Sequence, residues 1–178
     1  MININKIFII ADTHFGDKNI ITYENRPFED ITQMDNTMIE LWNKVVSKDD
    51  TVFHLGDVGN YELNKMKNII NKLNGNKILI KGNHDKHFSI REWMDCGFNE
   101  VYNYSIIYNK FIVMQHEPPQ YINNATPFFY LYGHVHSTDM YKTITRHSAC
   151  VSSERWDYTP VDLEEITRRV NLIIKSGD

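Results

Sequence analysis

The sequence of 178 residues predicts an α/β fold with two β-sheets. Its first half alternates short apolar runs with helical patterns in the order strand, helix, strand, helix, strand, which is typical of a parallel sheet with right-handed crossovers. Its second half contains mainly strand-like runs, which indicates a second, more antiparallel sheet. A chain of this length usually forms one domain, so we expect residues 1–178 to be a single domain.

The first half of the chain supplies three predicted strands and two predicted helices. The strands are short runs of apolar, often β-branched residues at 6–11, 51–55 and 77–81. The helices show apolar residues at a spacing of three and four over 30–45 and 63–73. Asp30 suits the N-cap of the first helix, and Gly75 is predicted to cap the end of the second.

The second half predicts strands at residues 101–108, 111–115 and 128–132, preceded by one short helix at 89–96. Near the C-terminus, Asp162-Leu163-Glu164-Glu165 has the pattern of a capping box and precedes apolar residues at helical spacing. The chain is therefore expected to close with a helix.

Composition limits the classes of partner. Hydrophobic residues at 42% and charged residues at 24% are ordinary for a globular chain. A net charge of −4 argues against binding of long nucleic-acid duplexes, which requires a surplus of Lys and Arg. A local basic patch could still hold a nucleotide or a short nucleic-acid end, because net charge does not describe the distribution of charge.

The cellular compartment is inferred from cysteine usage and apolar segments. Cys96 and Cys150 are too few for a disulfide framework or a cysteine-based zinc site, so both are expected to be reduced. The first ten residues lack the long apolar region of a signal peptide. No apolar stretch approaches the roughly 20 residues that span a bilayer. A cytoplasmic location without a membrane partner is the expectation.

Metal-competent side chains follow successive predicted strands, where open α/β sheets place their ligand sites. Taken singly, each cluster has an ordinary explanation as a polar loop, a turn or a hydrogen-bonded histidine. Taken together, their repeated position at strand ends makes coincidence a poor explanation. The five clusters are Asp12-Thr13-His14, Gly56-Asp57, Gly82-Asn83-His84-Asp85, His116 and Gly133-His134-Val135-His136.

This ordered set, running from Asp12 to His136, resembles the calcineurin-like metallophosphoesterase superfamily. The resemblance extends to a small bacterial and phage-type branch of stand-alone phosphoesterases. It implies a four-layer α-β-β-α sandwich of two mixed sheets flanked by helices. The segments that carry the closer resemblance are Asp12-Thr13-His14-Phe15-Gly16, Arg26-Pro27-Phe28, His54-Leu55-Gly56-Asp57 and Trp156-Asp157-Tyr158-Thr159-Pro160-Val161.

The resemblance also implies a site with two divalent metal ions that share Asp57 as a bridging ligand. Such a pair supplies a water of lowered pKa and neutralises the phosphoryl oxygens. Carboxylate, imidazole and amide ligands without a thiolate suit Mn as the first choice, with Fe, Zn or Ni as alternatives. The implied ligands are Asp12, His14, Asp57 and His136 for one metal and Asp57, Asn83, His116 and His134 for the other.

Two further residues are assigned roles in catalysis and substrate binding. His84 is the candidate general acid, because its neighbour Asn83 is an implied ligand. Asp85 could orient His84 or act only as a turn cap. The second acid and the arginine of the protein-phosphatase branch are absent after Gly56-Asp57, which disfavours phosphoprotein substrates. Arg26 is then the candidate cation for the substrate phosphate, or else a surface arginine that caps its loop.

The leading functional prediction is a metal-dependent phosphoesterase acting on a small phosphodiester or phosphomonoester, including nucleotides, with phosphodiesters favoured. The alternative is a non-catalytic interaction scaffold on the same fold, which would not need the complete ligand set. Residues 17–29 and 117–127 are expected to form the rim of the site. The aromatic residues near it are expected to anchor loops to the core rather than to stack on a base. They are Phe15, Tyr23, Phe28 and Tyr121.

Overall fold

The computed structural model describes residues 5–176, which form nine strands and five α-helices. The strands are β1 (Ile7–Ile10), β2 (Thr51–His54), β3 (Asn76–Ile80), β4 (Glu100–Tyr102), β5 (Ile106–Tyr108), β6 (Ile112–Met114), β7 (Phe129–Tyr132), β8 (Ser148–Cys150) and β9 (Val161–Asp162). The helices are α1 (Lys18–Tyr23), α2 (Ile31–Val45), α3 (Leu63–Ile70), α4 (Ile90–Cys96) and α5 (Leu163–Ser176). Short 3₁₀ helices lie at His84–His87 and Ser153–Trp156.

The first sheet has the strand order β4-β3-β2-β1-β9. Strands β1, β2, β3 and β4 pair in parallel, and β9 pairs antiparallel with β1. The predicted alternation of strand and helix is therefore confirmed for the first half of the chain. Parallel pairing places the carboxyl ends of β1, β2 and β3 at one edge, which is where the site lies.

The second sheet has the order β5-β6-β7-β8 and is less antiparallel than predicted. Only β5 and β6 pair antiparallel, whereas β6 with β7 and β7 with β8 are parallel. The prediction of one strand over residues 101–108 is wrong, because β4 belongs to the first sheet and β5 to the second. Residues 103–105 make the crossing between the two sheets.

Alternate residues of the first sheet belong to two separate apolar clusters. Phe8 and Ile10 pack with α2, α3 and α4 in one cluster, while Ile9 and Ala11 belong to the other cluster, which also contains residues of the second sheet. Strands buried on both faces explain the continuous apolar runs of the sequence. The predicted α/β class, with two mixed sheets and flanking helices, is confirmed.

The helix ends confirm some capping predictions and correct others. Asp30 caps α2 by accepting from the backbone N of Gln33, and Ser89 begins α4 with a complete capping box. Gly75 does not cap α3, which ends at Ile70; its φ of +90° instead belongs to the turn before β3. At α5, the carboxylate of Glu165 accepts hydrogen bonds from the side chains of Arg168 and Arg169 instead of from the backbone at the start of the helix. The predicted capping box is therefore not formed. 

Within residues 5–176, no helix is both long and apolar enough to cross a bilayer. Cys96 and Cys150 are buried and free, as expected from their number and spacing.

Candidate metal centre

The predicted ligands come together at the carboxyl ends of five strands. Asp12 and His14 follow β1, Asp57 follows β2, Asn83 follows β3, His116 follows β6, and His134 with His136 follows β7. Two groups that consist only of predicted ligands form there, each with potential ligand atoms that all lie within 4.8 Å of one another, and a third such group joins His136 to Glu24 and Glu154. The first group is Asp12, His14 and His136, and the second is Asp57, His116 and His134.

The first group holds two buried atoms that have no hydrogen-bond partner among the described residues. They are Oδ1 of Asp12 and Nε2 of His14. Burial lowers the pKa of His14 to about 3, so its imidazole is neutral and carries a lone pair at neutral pH. The side chain of His136 completes the group, with its ring centroid 5.1 Å from that of His14.

The second group is arranged around Nε2 of His116. This atom lies 2.9 Å from Oδ1 of Asn83, 3.1 Å from Nδ1 of His134 and 3.3 Å from Oδ2 of Asp57. On the other side of the ring, Nδ1 of His116 lies 2.8 Å from the carbonyl oxygen of Leu55 and donates to it. That bond leaves Nε2 as the ligand atom.

Oδ2 of Asp57 faces both groups. It lies 3.7 Å from Nε2 of His14 in the first group and 3.3 Å from Nε2 of His116 in the second. Its partner Oδ1 accepts from the backbone N of His84 at 2.9 Å, which fixes the carboxylate plane. Burial opposes ionisation of Asp57. In the metal-free protein, the hydrogen bond and the charge of His116 and the hydrogen bond from the backbone N of His84 act against burial, and the pKa of Asp57 is held well below its usual range.

These residues fit a pair of divalent cations. Ligand atoms bound at about 2.1 Å lie about 3.0–3.4 Å apart for octahedral to tetrahedral angles, which matches the separations around His116. The unpartnered buried atoms of Asp12 and His14 would gain a partner from a cation, and without one their burial is costly. Oxygen and imidazole nitrogen donors without thiolate suit Mn, Fe, Zn or Ni.

The backbone at the ligands is held in the left-handed region that L residues rarely adopt. Five of the predicted ligands have φ between 45° and 70°. Such conformations cost of order 1–3 kcal/mol each and persist only where the surrounding structure imposes them. Strained backbone of this kind is typical of functional sites. The five residues are Asp12, His14, Asp57, His134 and His136.

Asp85 organises the loops that carry Asp57 and Asn83. Its buried carboxylate accepts from the backbone N of Gly82, Asp57 and Val58 at 2.8–2.9 Å. Asp85 is therefore the anchor of two ligand loops, which is closer to the turn-cap interpretation than to an orienter of His84.

A glycine is required at position 82, because the side chains of two predicted ligands lie very close to its backbone. A Cβ built on Gly82 would overlap Oδ1 of Asp57 and lie 2.8 Å from Cε1 of His116. Only a residue without a side chain fits between the two ligands.

Arg26 is buried behind the first group, which corrects the predicted contact with substrate. Its guanidinium is fully buried and donates to the carbonyl oxygens of Asp12 and Thr13 at 2.7 and 2.9 Å. It also forms an ion pair with Glu154. Because its donors are directed at these partners, Arg26 shapes the Asp12-Thr13-His14 loop instead of reaching a phosphate.

Glu154 is the residue near the site that sequence reasoning missed. Its Oε1 accepts from Nδ1 of His136 at 3.0 Å and from Arg26. Burial would raise the pKa of Glu154, but its bonds to His136 and Arg26 lower it to about 2, so the carboxylate is ionised. The only indication of Glu154 in the sequence is its position two residues before the Trp156-Asp157-Tyr158 segment. That position does not show that Glu154 contacts His136 and Arg26.

His84 and the loop aromatics complete the surroundings of the site. His84 is exposed, and its ring centroid lies 5.5 Å from that of His14. Phe15 is buried and packs in the helix-covered cluster, where Phe28 packs as well, so both anchor loops as predicted. Tyr23 and Tyr121 are 76% and 80% exposed, so the same prediction is wrong for them.

A two-sheet α/β sandwich with adjoining clusters of carboxylates and imidazoles is typical of metal-dependent hydrolases. Comparison with known proteins identifies the family. Residues 5–169 match the family model described as calcineurin-like phosphoesterase. The chain therefore belongs to the calcineurin-like phosphoesterase family, which implies metal-dependent hydrolysis of phosphoesters.

Relatives of this chain include archaeal, phage and bacterial proteins. The uncharacterized protein MJ1445 of Methanocaldococcus jannaschii is 35% identical over 176 residues, covering 94% of this chain and 93% of its own. The Gene 66 protein of Mycobacterium phage L5 is 35% identical over 78 residues, covering 42% of this chain and 37% of its own. The crystal structure of AQ665 from Aquifex aeolicus, a protein of unknown function, matches with a TM-score of 0.71 and 26% identity, covering 93% of this chain and 99% of that chain.

Proposed function

We propose that the protein hydrolyses a small phosphoester at a centre of two divalent cations. Asp12, His14 and His136 would hold one cation, and Asn83, His116 and His134 the other, with Asp57 shared. When bound, such a pair supplies an acidic water as nucleophile and offsets the negative charge of the phosphoryl oxygens. The observation that carries the proposal is the position of Oδ2 of Asp57, 3.7 Å from Nε2 of His14 and 3.3 Å from Nε2 of His116.

The residues of the chain supply the remaining steps. His84 donates a proton to the leaving oxygen, because its exposed ring lies beside His14 while its backbone is tied to Asp57. Arg26 and Glu154 hold the ligand loops from behind and touch no substrate. Mn is the first choice of metal, and Fe, Zn or Ni are alternatives.

A phosphodiester is the preferred substrate in this proposal, and nucleotides are included. Arg26 is buried in an ion pair, so it does not bind the additional negative charge that a monoester carries relative to a diester. Asn60 and Tyr61 occupy the positions that follow Gly59, so no arginine stands there either. Tyr61 itself donates its hydroxyl to Asp35 at 2.7 Å. Free buried cysteines are consistent with a reducing compartment, so a cytoplasmic location remains part of the proposal.

The experiment is hydrolysis of bis-p-nitrophenyl phosphate and p-nitrophenyl phosphate by metal-stripped protein after return of Mn, Fe, Ni, Zn or Mg. We expect turnover that depends on the added metal and favours the diester. His84→Ala should lower kcat by about 10²–10⁴-fold while two metals stay bound. His147→Ala is the control, since this half-buried histidine belongs to neither ligand group.

The outcomes separate the hydrolase from the scaffold. Turnover of the monoester alone would overturn the preference for diesters. Failure to bind metal, together with no turnover of either ester, would overturn the hydrolase proposal and favour a non-catalytic interaction scaffold.

A further inference from the structure

A cleft of about 480 Å³ opens beside the second ligand group. Its lining includes Asn83, His116 and residues 103–105. Because residues 103–105 cross from β4 to β5, the cleft lies where the edges of the two sheets meet. Its volume is within the range of about 300–1,000 Å³ that is typical of small-molecule sites. The organic part of an ester bound at the metal centre has room here.

The lining of the cleft is mostly polar. Asn103, Ser105 and Gln115 bring amide and hydroxyl groups, which include both hydrogen-bond donors and acceptors. Ile80 is the aliphatic residue of the lining, and it is only 1% exposed. A lipid chain would find little apolar surface, whereas a heterocyclic base with its own donors and acceptors would find partners.

Tyr104 provides a flat surface in this polar cleft. Its side chain is 83% exposed, so it contributes little to either apolar cluster. Stacking of a base on an exposed aromatic ring changes binding by about 5- to 150-fold. A tyrosine at this position, where the chain crosses between the two sheets and in the same cleft as two metal ligands, is therefore suited to hold a base.

The cleft also carries positive charge in a chain whose net charge is −4. Lys81 and Lys86 both line it. The ammonium group of Lys81 donates to the carbonyl oxygen of Phe88 at 2.7 Å, whereas Lys86 is exposed and its ammonium group makes no hydrogen bond with residues 5–176. Lys86 can thus attract a phosphate anion, and Glu117 at the rim can accept from a sugar hydroxyl.

We propose that this cleft is a nucleoside subsite, so that the substrate is a phosphoester of a nucleoside whose base stacks on Tyr104. The inference rests on the proposed phosphoesterase function and names the substrate class of that same site. The phosphate lies towards Asn83 and His116, and the sugar lies between the phosphate and the ring of Tyr104.

The test compares two esters that release the same leaving group. The p-nitrophenyl ester of thymidine 5′-phosphate carries a nucleoside, and methyl p-nitrophenyl phosphate carries a methyl group in its place. With Mn-loaded protein, we expect a higher kcat/KM for the thymidine ester. Tyr104→Ala should lower the ratio of the two kcat/KM values by about tenfold, mainly through KM, and Tyr104→Phe should retain the ratio because it keeps the ring.

Phe111→Ala is the control, because Phe111 is an aromatic residue that is 54% exposed, lies outside the expected rim and does not line the cleft. The ratio should be unchanged in this variant. Turnover of both esters with no preference for thymidine, or an unchanged ratio in Tyr104→Ala, would overturn the nucleoside subsite and leave the hydrolase proposal standing. If neither diester is hydrolysed with any metal, the subsite and the preference for diesters are both overturned, and the hydrolase proposal then fails as well if p-nitrophenyl phosphate is not hydrolysed and no metal binds.

Discussion

The carboxylate of Glu154 accepts a hydrogen bond from Nδ1 of His136 over 3.0 Å, although the two residues are 18 positions apart. The same oxygen is paired with Arg26, whose guanidinium also holds the backbone carbonyl of Asp12. A carboxylate that fixes one ring nitrogen of a histidine leaves the other as the ligand atom and raises its basicity. Glu154 and Arg26 are thus expected to position the first ligand group.

Glu154→Gln should weaken metal binding at the first group by about 10–100-fold and leave the second group unaffected. The neutral amide is a weaker acceptor for Nδ1 of His136, although it has nearly the same shape. A calorimetric titration of the metal-stripped protein with metal measures the affinities of the first and second groups separately. Glu165→Gln is the control on a partly exposed carboxylate that belongs to neither ligand group. Equal weakening at both groups, or none, would contradict the positioning role of Glu154.

Arg26→Met should destabilise the fold by about 3–5 kcal/mol, because it leaves the buried carboxylate of Glu154 without its cation. Urea unfolding of metal-free protein measures the change. Arg168→Met is the matched control, since the side chain of Arg168 is 61% exposed in its ion pair with Glu165, and little change is expected there. Equal stability of the Arg26 and Arg168 variants would be inconsistent with a buried ion pair behind the site.

Gly82→Ala should impair metal binding at the second group. The added Cβ overlaps Oδ1 of Asp57 and approaches His116, so two ligands must move. Overpacking of this kind typically costs about 1–3 kcal/mol. Metal stoichiometry and urea unfolding together measure the effect. Gly133→Ala serves as the comparison, because its added Cβ would crowd Asp12 in the first group. If the account is correct, Gly82→Ala impairs metal binding at the second group and Gly133→Ala impairs it at the first.

The stability of the metal-free protein should fall as the pH drops below about 6.5, in part because of His54. Burial lowers the pKa of His54 from 6.5 to about 3. The unfolded chain therefore binds a proton in this window that the folded protein rejects, and the stabilisation that is complete above pH 6.5 is lost towards pH 3. This contributes up to about 1.4 kcal/mol per pH unit.

His54→Gln should reduce that slope, because glutamine has no imidazole to protonate yet can replace the bonds of His54 to Gly56 and Thr13. Urea unfolding at pH 6, 5 and 4 measures how the free energy of unfolding changes with pH. His147→Gln serves for comparison, and an identical slope in wild type and His54→Gln would show that another group is responsible.

Much of the fold and most of the site could be predicted because they depend on local patterns. Asp12 and Asp57 each follow a buried apolar strand, so their convergence at one sheet edge follows from parallel pairing. The left-handed backbone of both residues is not visible in their identity, since only the packed loops impose it.

The missed features depend on contacts between distant parts of the chain. Arg26 and Glu154 are 128 positions apart, and neither residue reveals the other. Strand β8 (Ser148–Cys150) consists of small residues without a β-branched side chain, so its sequence does not predict a strand. Residues 101–108 were predicted as one strand because nothing in their composition shows that they pass from one sheet to the other.

Electron paramagnetic resonance of the Mn-loaded protein, with Mn counted per chain, tests the two-cation centre most directly. We expect two Mn ions per chain with an exchange-coupled signal in the wild type, and loss of the coupling in Asp57→Asn, because Asp57 is the residue that faces both groups. One Mn ion per chain, or two that are uncoupled in the wild type, would contradict a shared Asp57.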